Sequence, residues 1–501
     1  MRGKPTIFYG TLLLSGVNLL LQGVSMLFQI YLSRSIGAAG LGLLQLILSV
    51  AAMALTVGIS GIRITAMYLC AEEIGLRRLQ GLRRVLSGCM RYGLVMSIAA
   101  GLALIFGANA LSEHWIGDLR AAMSLRILGT FLPINCLCSI MTGYFTASGR
   151  LQQLVWVEIG ERAVYIGLTV FLLQFWAGQD LERACCAIVL GSCASGVLSL
   201  LAMGILCLRA LPEPEEGEEK IPVLRRMLKL CVPLAIGDYV RSGLSTTEQM
   251  LIPKGLERHG GSVDASMAAY GTIHGMVFPV IMFPTAFLAA LIDLLIPELS
   301  QSKIRGREER IRALTDHCFR LGALFACSCA GILHLFAETL GTSLYRSDQA
   351  GYYIAVFAPL VAVLYLDSIT DGILKGLGQQ VHTVRYNTLT SALDVLGLLI
   401  LLPRFGIAGY YISFTVTHFL NFILSMARLL TVSGFRLPAG FCVKLLLCFG
   451  ISIVITRPLP WSFLPLFFCL LSLCRAFRRE DIRWFYGVLR RKKVDAPAQS
   501  L

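Results

Sequence analysis

Charge is what this sequence lacks. Only 15% of its 501 residues are charged, against about 25% in a soluble domain, so an ordinary water-soluble globule is excluded. Between positions 8 and 475 no soluble-looking stretch exceeds about 25 residues, because apolar segments of membrane-spanning length follow one another. No extramembrane enzyme domain fits in those gaps. A glycine-rich loop followed by Lys and Ser or Thr is missing, so ATP is not the direct energy source through this chain. Nucleophile triads and metal-ligand clusters are missing too, which leaves no catalytic residue, metal or cofactor to nominate. An embedded glycosyltransferase, the alternative enzyme class, needs acidic residues and a sizeable soluble loop. The only acidic loop, 213–219, reads as a linker.

What is present is apolar sequence and positive charge. Hydrophobic residues make up 56% of the chain, and 44 basic residues against 30 acidic ones leave a net charge of +14. The basic residues cluster in short loops between apolar runs, where the positive-inside rule puts them, so the excess encodes topology and not nucleic-acid binding. About 20 helical residues cross a hydrocarbon core. On that criterion the chain is an all-α polytopic membrane protein of about fourteen transmembrane helices, at 8–32, 41–62, 91–111, 122–147, 153–175, 184–208, 230–253, 267–292, 313–337, 351–374, 383–402, 407–430, 438–456 and 461–475. Loops after even-numbered spans hold most of the Lys and Arg, including Arg83, Arg84, Arg225, Arg226, Arg305 and Arg312, so both termini are expected in the cytoplasm. The run 8–32, preceded by Arg2 and Lys4, is too long for a signal-peptide core and is expected to be the first span. The 16 cysteines sit mostly inside apolar segments and read as core filling, not as a zinc site or a disulfide framework. In the basic tail, Ile482, Phe485 and Leu489 at i, i+3 and i+7 predict an amphipathic helix on anionic lipid, the alternative being a solvated tail.

A shift of about 229 residues superposes Gly42 on Gly271, Gly143 on Gly372 and Gly149 on Gly378, each at the same place in the hydropathy pattern. The expected organisation is two six-helix lobes related by a pseudo-two-fold axis, 1–210 and 230–430. A cytoplasmic linker, 211–229, joins them; two extra helices over 431–475 and the tail 476–501 follow. Parallel repeats about an axis along the membrane normal are a transporter plan, with the substrate path between the halves.

Polar residues on the spans mark that path. Ser15, Asn18, Gln22, Ser25 and Gln29 share one face of the first span, either lining a cavity or hydrogen-bonding within a packed bundle. Asp238, Arg241, Ser245 and Glu248 share a face of the seventh, in matching register under the repeat. Arg241 lies twelve residues beyond Lys229, about 18 Å deep at 1.5 Å per residue. A charge at that depth faces a water-filled path or a partner, here Asp238 or Glu248. Glu158 and Arg162, beside Glu161, form an i, i+4 pair able to neutralise itself. Arg63, at the end of the second span, reads equally as a cavity cation or an interfacial anchor. Asp367 and Asp371 share a face of the tenth span and Asp394 interrupts the eleventh, where a carboxylate can bind a proton or a cation. His274 and His418 read as packing groups.

Family-like motifs recur along the same spans: the run 29–37 followed by Gly40, Leu41 and Gly42; Ala71, Glu72 and Glu73; 143–149 leading to Glu158; Leu251, Ile252 and Pro253; Tyr270 and Gly271, then Pro279 and Pro284; Leu295, Ile296 and Pro297; and 372–378. Through them nearly the whole chain resembles the multidrug, oligosaccharidyl-lipid and polysaccharide exporter superfamily. Within it the resemblance is to the branch of stage V sporulation protein B and the polysaccharide-biosynthesis flippases, akin to lipid II flippases. The resemblance implies a V-shaped pair of lobes working by alternating access, and a cationic central cavity for the diphosphate and headgroup of an undecaprenyl-linked sugar. It also implies a groove for the lipid tail on the last two spans. Such flippases place arginines on cavity helices, and Arg63 and Arg241 are the matching candidates. The first span departs from the pattern in having no arginine and relies on the amides Asn18, Gln22 and Gln29.

Asp238, Glu248, Glu158, Glu161, Arg162, Asp367, Asp371 and Asp394 stand as ion-coupling or charge-pair candidates. The expected function is that of a monomeric, multi-pass flippase of the bacterial plasma membrane for a lipid-linked saccharide of peptidoglycan or polysaccharide synthesis, in a wall or sporulation setting. Proton or sodium coupling is open, and membrane lipids are its surroundings. The alternative is a proton- or sodium-coupled exporter of small organic cations, whose branch typically has twelve helices. A non-transporting scaffold leaves the buried charges without a purpose.

Overall fold

In lipid, every backbone N–H and C=O must be satisfied inside its own segment, so continuous apolar runs become helices. The computed structural model describes residues 7–76, 79–178, 180–210 and 223–476, and every regular element in them is helical. Most of the expected linker, 211–222, and the expected tail helix around Ile482 lie outside the described residues. Eleven helices among the described residues are long and apolar enough to cross a membrane. The chain is a multi-pass membrane protein.

Two compact units divide the chain. The first takes residues 1–280 and 388–414. It holds α1 (Ile7–Ile59), α2 (Ile62–Gly75), α3 (Leu79–Ala110), α4 (Ala121–Ala147), α5 (Leu151–Leu172), α6 (Leu181–Ala210), α7 (Val223–Arg258) and α8 (Val263–Gly271). α1 contains the first expected span and most of the second, bent at Gly37, where φ is 71°, and it ends before Gly61, whose φ of 71° breaks the helix. α7 starts at Val223, inside the expected linker. π-helical turns extend α3, α5 and α8, at Leu111–Ile116, Leu173–Ala177 and Thr272–Val277. A core of Ile62, Leu69, Leu86, Tyr144, Phe145 and Met227 joins α2, α3, α4 and α7.

α9 (Phe278–Met282) leads to the second unit, 281–387 with 415–501. This unit holds α10 (Thr285–Ile304), α11 (Glu308–Leu335), α12 (Ala337–Tyr345) and α13 (Asp348–Gly376). Parts of α14 (Gln380–Phe405) and α15 (Ile407–Ser433) follow, then α16 (Ala439–Thr456) and α17 (Phe463–Leu473). Phe441, Phe463 and Phe467 pack α16 and α17 onto Ala323 and Cys327 of α11.

The repeat glycines do matching local work. Gly149 (φ 70°) and Gly378 (φ 67°) end α4 and α13 in the left-handed conformation. Each closes the same pair of hydrogen bonds: Gly149 N to Thr146 O (3.2 Å) with Arg150 N to Phe145 O (3.0 Å), and Gly378 N to Lys375 O (2.9 Å) with Gln379 N to Leu374 O (2.8 Å). This is the Schellman pattern that caps a helix with glycine. Gly143 brings α4 onto α2, where a Cβ would stand 2.7 Å from Arg63 O, and Gly372 brings α13 onto α10, 2.5 Å from Ile292 Cγ2.

Candidate substrate cleft

α7 is bound along its length to α1, α2 and the π-helical turn that extends α3. Arg226 reaches Glu72 (2.7 Å) and Glu73 (3.1 Å) at one end, and Lys254 donates to the His114 carbonyl at the other. Between them Cys231 Sγ approaches Ser60 O (3.4 Å), Tyr239 OH donates to Val57 O (3.3 Å) and Thr246 Oγ1 to Ser49 O (3.3 Å).

A cleft of about 540 Å³ opens beside these bonds, within the size range of small-ligand sites. Arg63 and Arg241 both line it, with Asp238. Asp238 is held from two sides: Ser60 Oγ donates to Oδ2 at 2.8 Å and Arg241 Nη2 lies 3.3 Å from Oδ1. Arg241 is thus paired and yet open to the cleft, its side chain 64% exposed. Arg63 is exposed and makes no ion pair among the described residues. Hydroxyls complete the lining: Ser49, Thr56 and Ser60 on one side, Ser139 of α4, and Ser242, Ser245 and Thr246 of α7 with Gln249. Positions 49, 56, 60 and 63 follow a helical face, a signal present in the sequence but submerged among the many Ser and Thr of membrane helices.

Other nominated residues lie elsewhere. Asn18 is exposed and Gln22 half-buried on α1, and neither lines the cleft. Gln29 Nε2 donates to Gly275 O at 3.1 Å; that carbonyl belongs to the π-helical turn after α8, whose widened geometry frees backbone groups for outside partners. Gln29 therefore ties helices together, the second of its two expected roles. Glu158 has Glu161, Arg63 and Arg162 as charged neighbours. The Glu158–Arg162 pair is not closed, because the Arg162 guanidinium lies over the Tyr165 ring, 5.9 Å from its centroid.

Glu248, although on the Arg241 stripe, has Asp394 of α14 as a charged neighbour. Ser413 Oγ donates to Asp394 Oδ1 at 2.6 Å. His274 packs beside them, its ring 4.6 Å from Tyr270 and its Nε2 3.2 Å from Tyr410 OH, as a packing group should. In the second unit, Asn421 Nδ2 donates to Asp367 (2.8 Å), while Ser425 Oγ (3.0 Å) and Asn387 Nδ2 (3.3 Å) donate to Asp371. All 16 cysteines are free thiols, most of them buried.

With this geometry in view, residues 7–250 match the model of a family described as polysaccharide biosynthesis protein. Stage V sporulation protein B of Bacillus subtilis (strain 168) is 22% identical over 419 residues, covering 81% of this chain and 80% of the relative. Sporulation protein YkvU of the same organism is 20% identical over 358 residues, covering 70% and 78%. Among solved structures, the lipid II flippase MurJ in an inward closed conformation aligns with a TM-score of 0.66 at 13% identity, over 95% of this chain and 99% of that one. An inward-facing multidrug resistance MATE family transporter of the MOP superfamily aligns with a TM-score of 0.63 at 13% identity, over 84% and 100%. The fold is that of the MOP-superfamily transporters.

Proposed function

We propose that this chain, whose residues 7–250 match the model of the polysaccharide biosynthesis protein family, is a flippase that moves the headgroup of a lipid-linked saccharide precursor across the bacterial plasma membrane, as a transporter and not as an enzyme. The observation that carries this reading is the meeting of Arg63 and Arg241 in one polar cleft among membrane helices. An Arg at the centre of a span costs about 2.5 to 3.5 kcal/mol on insertion scales and is kept where it faces a wet path. A guanidinium suits a phosphate oxygen pair, and the hydroxyls around it suit a sugar. Similarity to a sporulation protein and to a lipid II flippase supports this substrate class.

In this reading the lobes 1–210 and 230–430 alternate access to the cleft in a monomer, and the helices of 431–475 hold the lipid tail. The basic loop 305–312 and both termini face the cytoplasm. Glu248 and Asp394 are the coupling groups, since two neighbouring carboxyls can share a proton or hold a cation such as sodium. Organic-cation export is the second reading. It needs an acid free in the cleft, whereas Asp238 is engaged by Ser60 and Arg241.

The test is headgroup translocation of an undecaprenyl-diphosphate sugar by the purified protein in vesicles. Arg241→Ala is expected to lower it at least tenfold in a protein that still inserts and stays monodisperse, and Arg241→Lys to keep part of it. Full transport by Arg241→Ala, with organic-cation efflux lost in Asp238→Asn, puts the antiporter in the flippase's place.

A further inference from the structure

The cleft lining also limits which headgroup fits, an inference that rests on the flippase reading. Two guanidiniums and one carboxylate leave the lining a single net positive charge. A lipid diphosphate is dianionic, so it takes up that charge at Arg63 and Arg241 and leaves none over. What remains is neutral and hydrogen-bonding: Ser49, Thr56, Ser139, Ser242 and Gln249. Ser49 is 5% exposed, and its Oγ is buried with no hydrogen-bond partner among the described residues.

Asp238 gives the lining its direction. A carboxylate is an acceptor only, with lone pairs to spare after two bonds, so beside Ser60 and Arg241 it can accept one more hydrogen bond from a sugar O–H or amide N–H. A second carboxylate at the same place meets like charge with no cation left to offset it. We propose that the cleft selects lipid diphosphates whose sugar is neutral and rich in hydroxyls, and that Asp238 is the specificity residue that turns carboxylated headgroups away. Discrimination by a built-in repulsive group is a general route to specificity.

A matched pair of probes tests this: one polyprenyl diphosphate carrying a neutral hexose and the same lipid carrying the corresponding hexuronic acid, each titrated into the full chain in nanodiscs. The wild-type protein should bind the hexose lipid roughly five- to tenfold more tightly, the order of one like-charge contact in a wet cleft. Asp238→Asn should bring the two within about twofold by tightening the uronate, and Asp238→Glu, which restores the charge, should restore the gap. Equal binding by the wild type overturns the selectivity while leaving the flippase standing. An unchanged ratio in Asp238→Asn removes Asp238 from the role. If the folded protein binds neither lipid, the flippase reading falls, and the inference with it.

Discussion

Glu73 is fully buried, one of its oxygens has no hydrogen-bond partner among the described residues, and the other accepts from Arg226 at 3.1 Å. Removing one member of such a pair is expensive because the survivor is left charged and uncompensated. Arg226→Ala should therefore destabilise the protein by about 3 kcal/mol, at the low end for buried pairs because Arg226 keeps 30% exposure. Glu73→Gln should cost less than half of that, since an amide oxygen still accepts from Arg226. Denaturant unfolding in detergent separates the two, and equal losses would show that the pair is not what holds α2 to α7. Arg162 teaches the complementary lesson. The i, i+4 spacing permitted a bond to Glu158, and an aromatic ring one turn away won the guanidinium.

At the scale of elements, α1 and α8 meet through two glycines. A Cβ on Gly271 would stand 2.0 Å from Ala38 O, and one on Gly42 would stand 2.2 Å from Met267 O. Overpacking of this kind costs about 1 to 3 kcal/mol, so Gly271→Ala should lower the melting temperature clearly. Gly16→Ala, with no atom within 4 Å of the new Cβ, should leave it level or slightly raised. The capping turns predict a matched pair: Gly149→Ala and Gly378→Ala should each cost about 1 to 2 kcal/mol, the price of a left-handed L-residue. Thermal unfolding that finds one of them free would break the equivalence of the two turns.

For the whole molecule, loop charge sets the orientation to be tested. Charge asymmetry between loops predicts that a single cysteine at position 306, on a cysteine-free background, resists an impermeant thiol reagent in intact cells, whereas one at position 119 reacts. The reverse pattern would turn the protein over in the membrane. It would also move the basic loops away from the anionic inner leaflet.

The helical class and the many spans were legible in the sequence, and so were Arg63 and Arg241 as candidates, which the structure brings to one cleft. Lipid leaves the backbone no choice but local hydrogen bonds, so composition over about 20 residues suffices to mark a span. Partnership was not legible. Asp238 meets Ser60 across a separation of 178 residues, Glu248 has Asp394 of α14 as a charged neighbour, and Gln29 serves a π-helical turn near Gly275. Periodicity says which face of a helix is polar, but only the packing of one helix against another decides what that face meets. Hydroxyls from α1, α4 and α7 became a cleft for that reason alone.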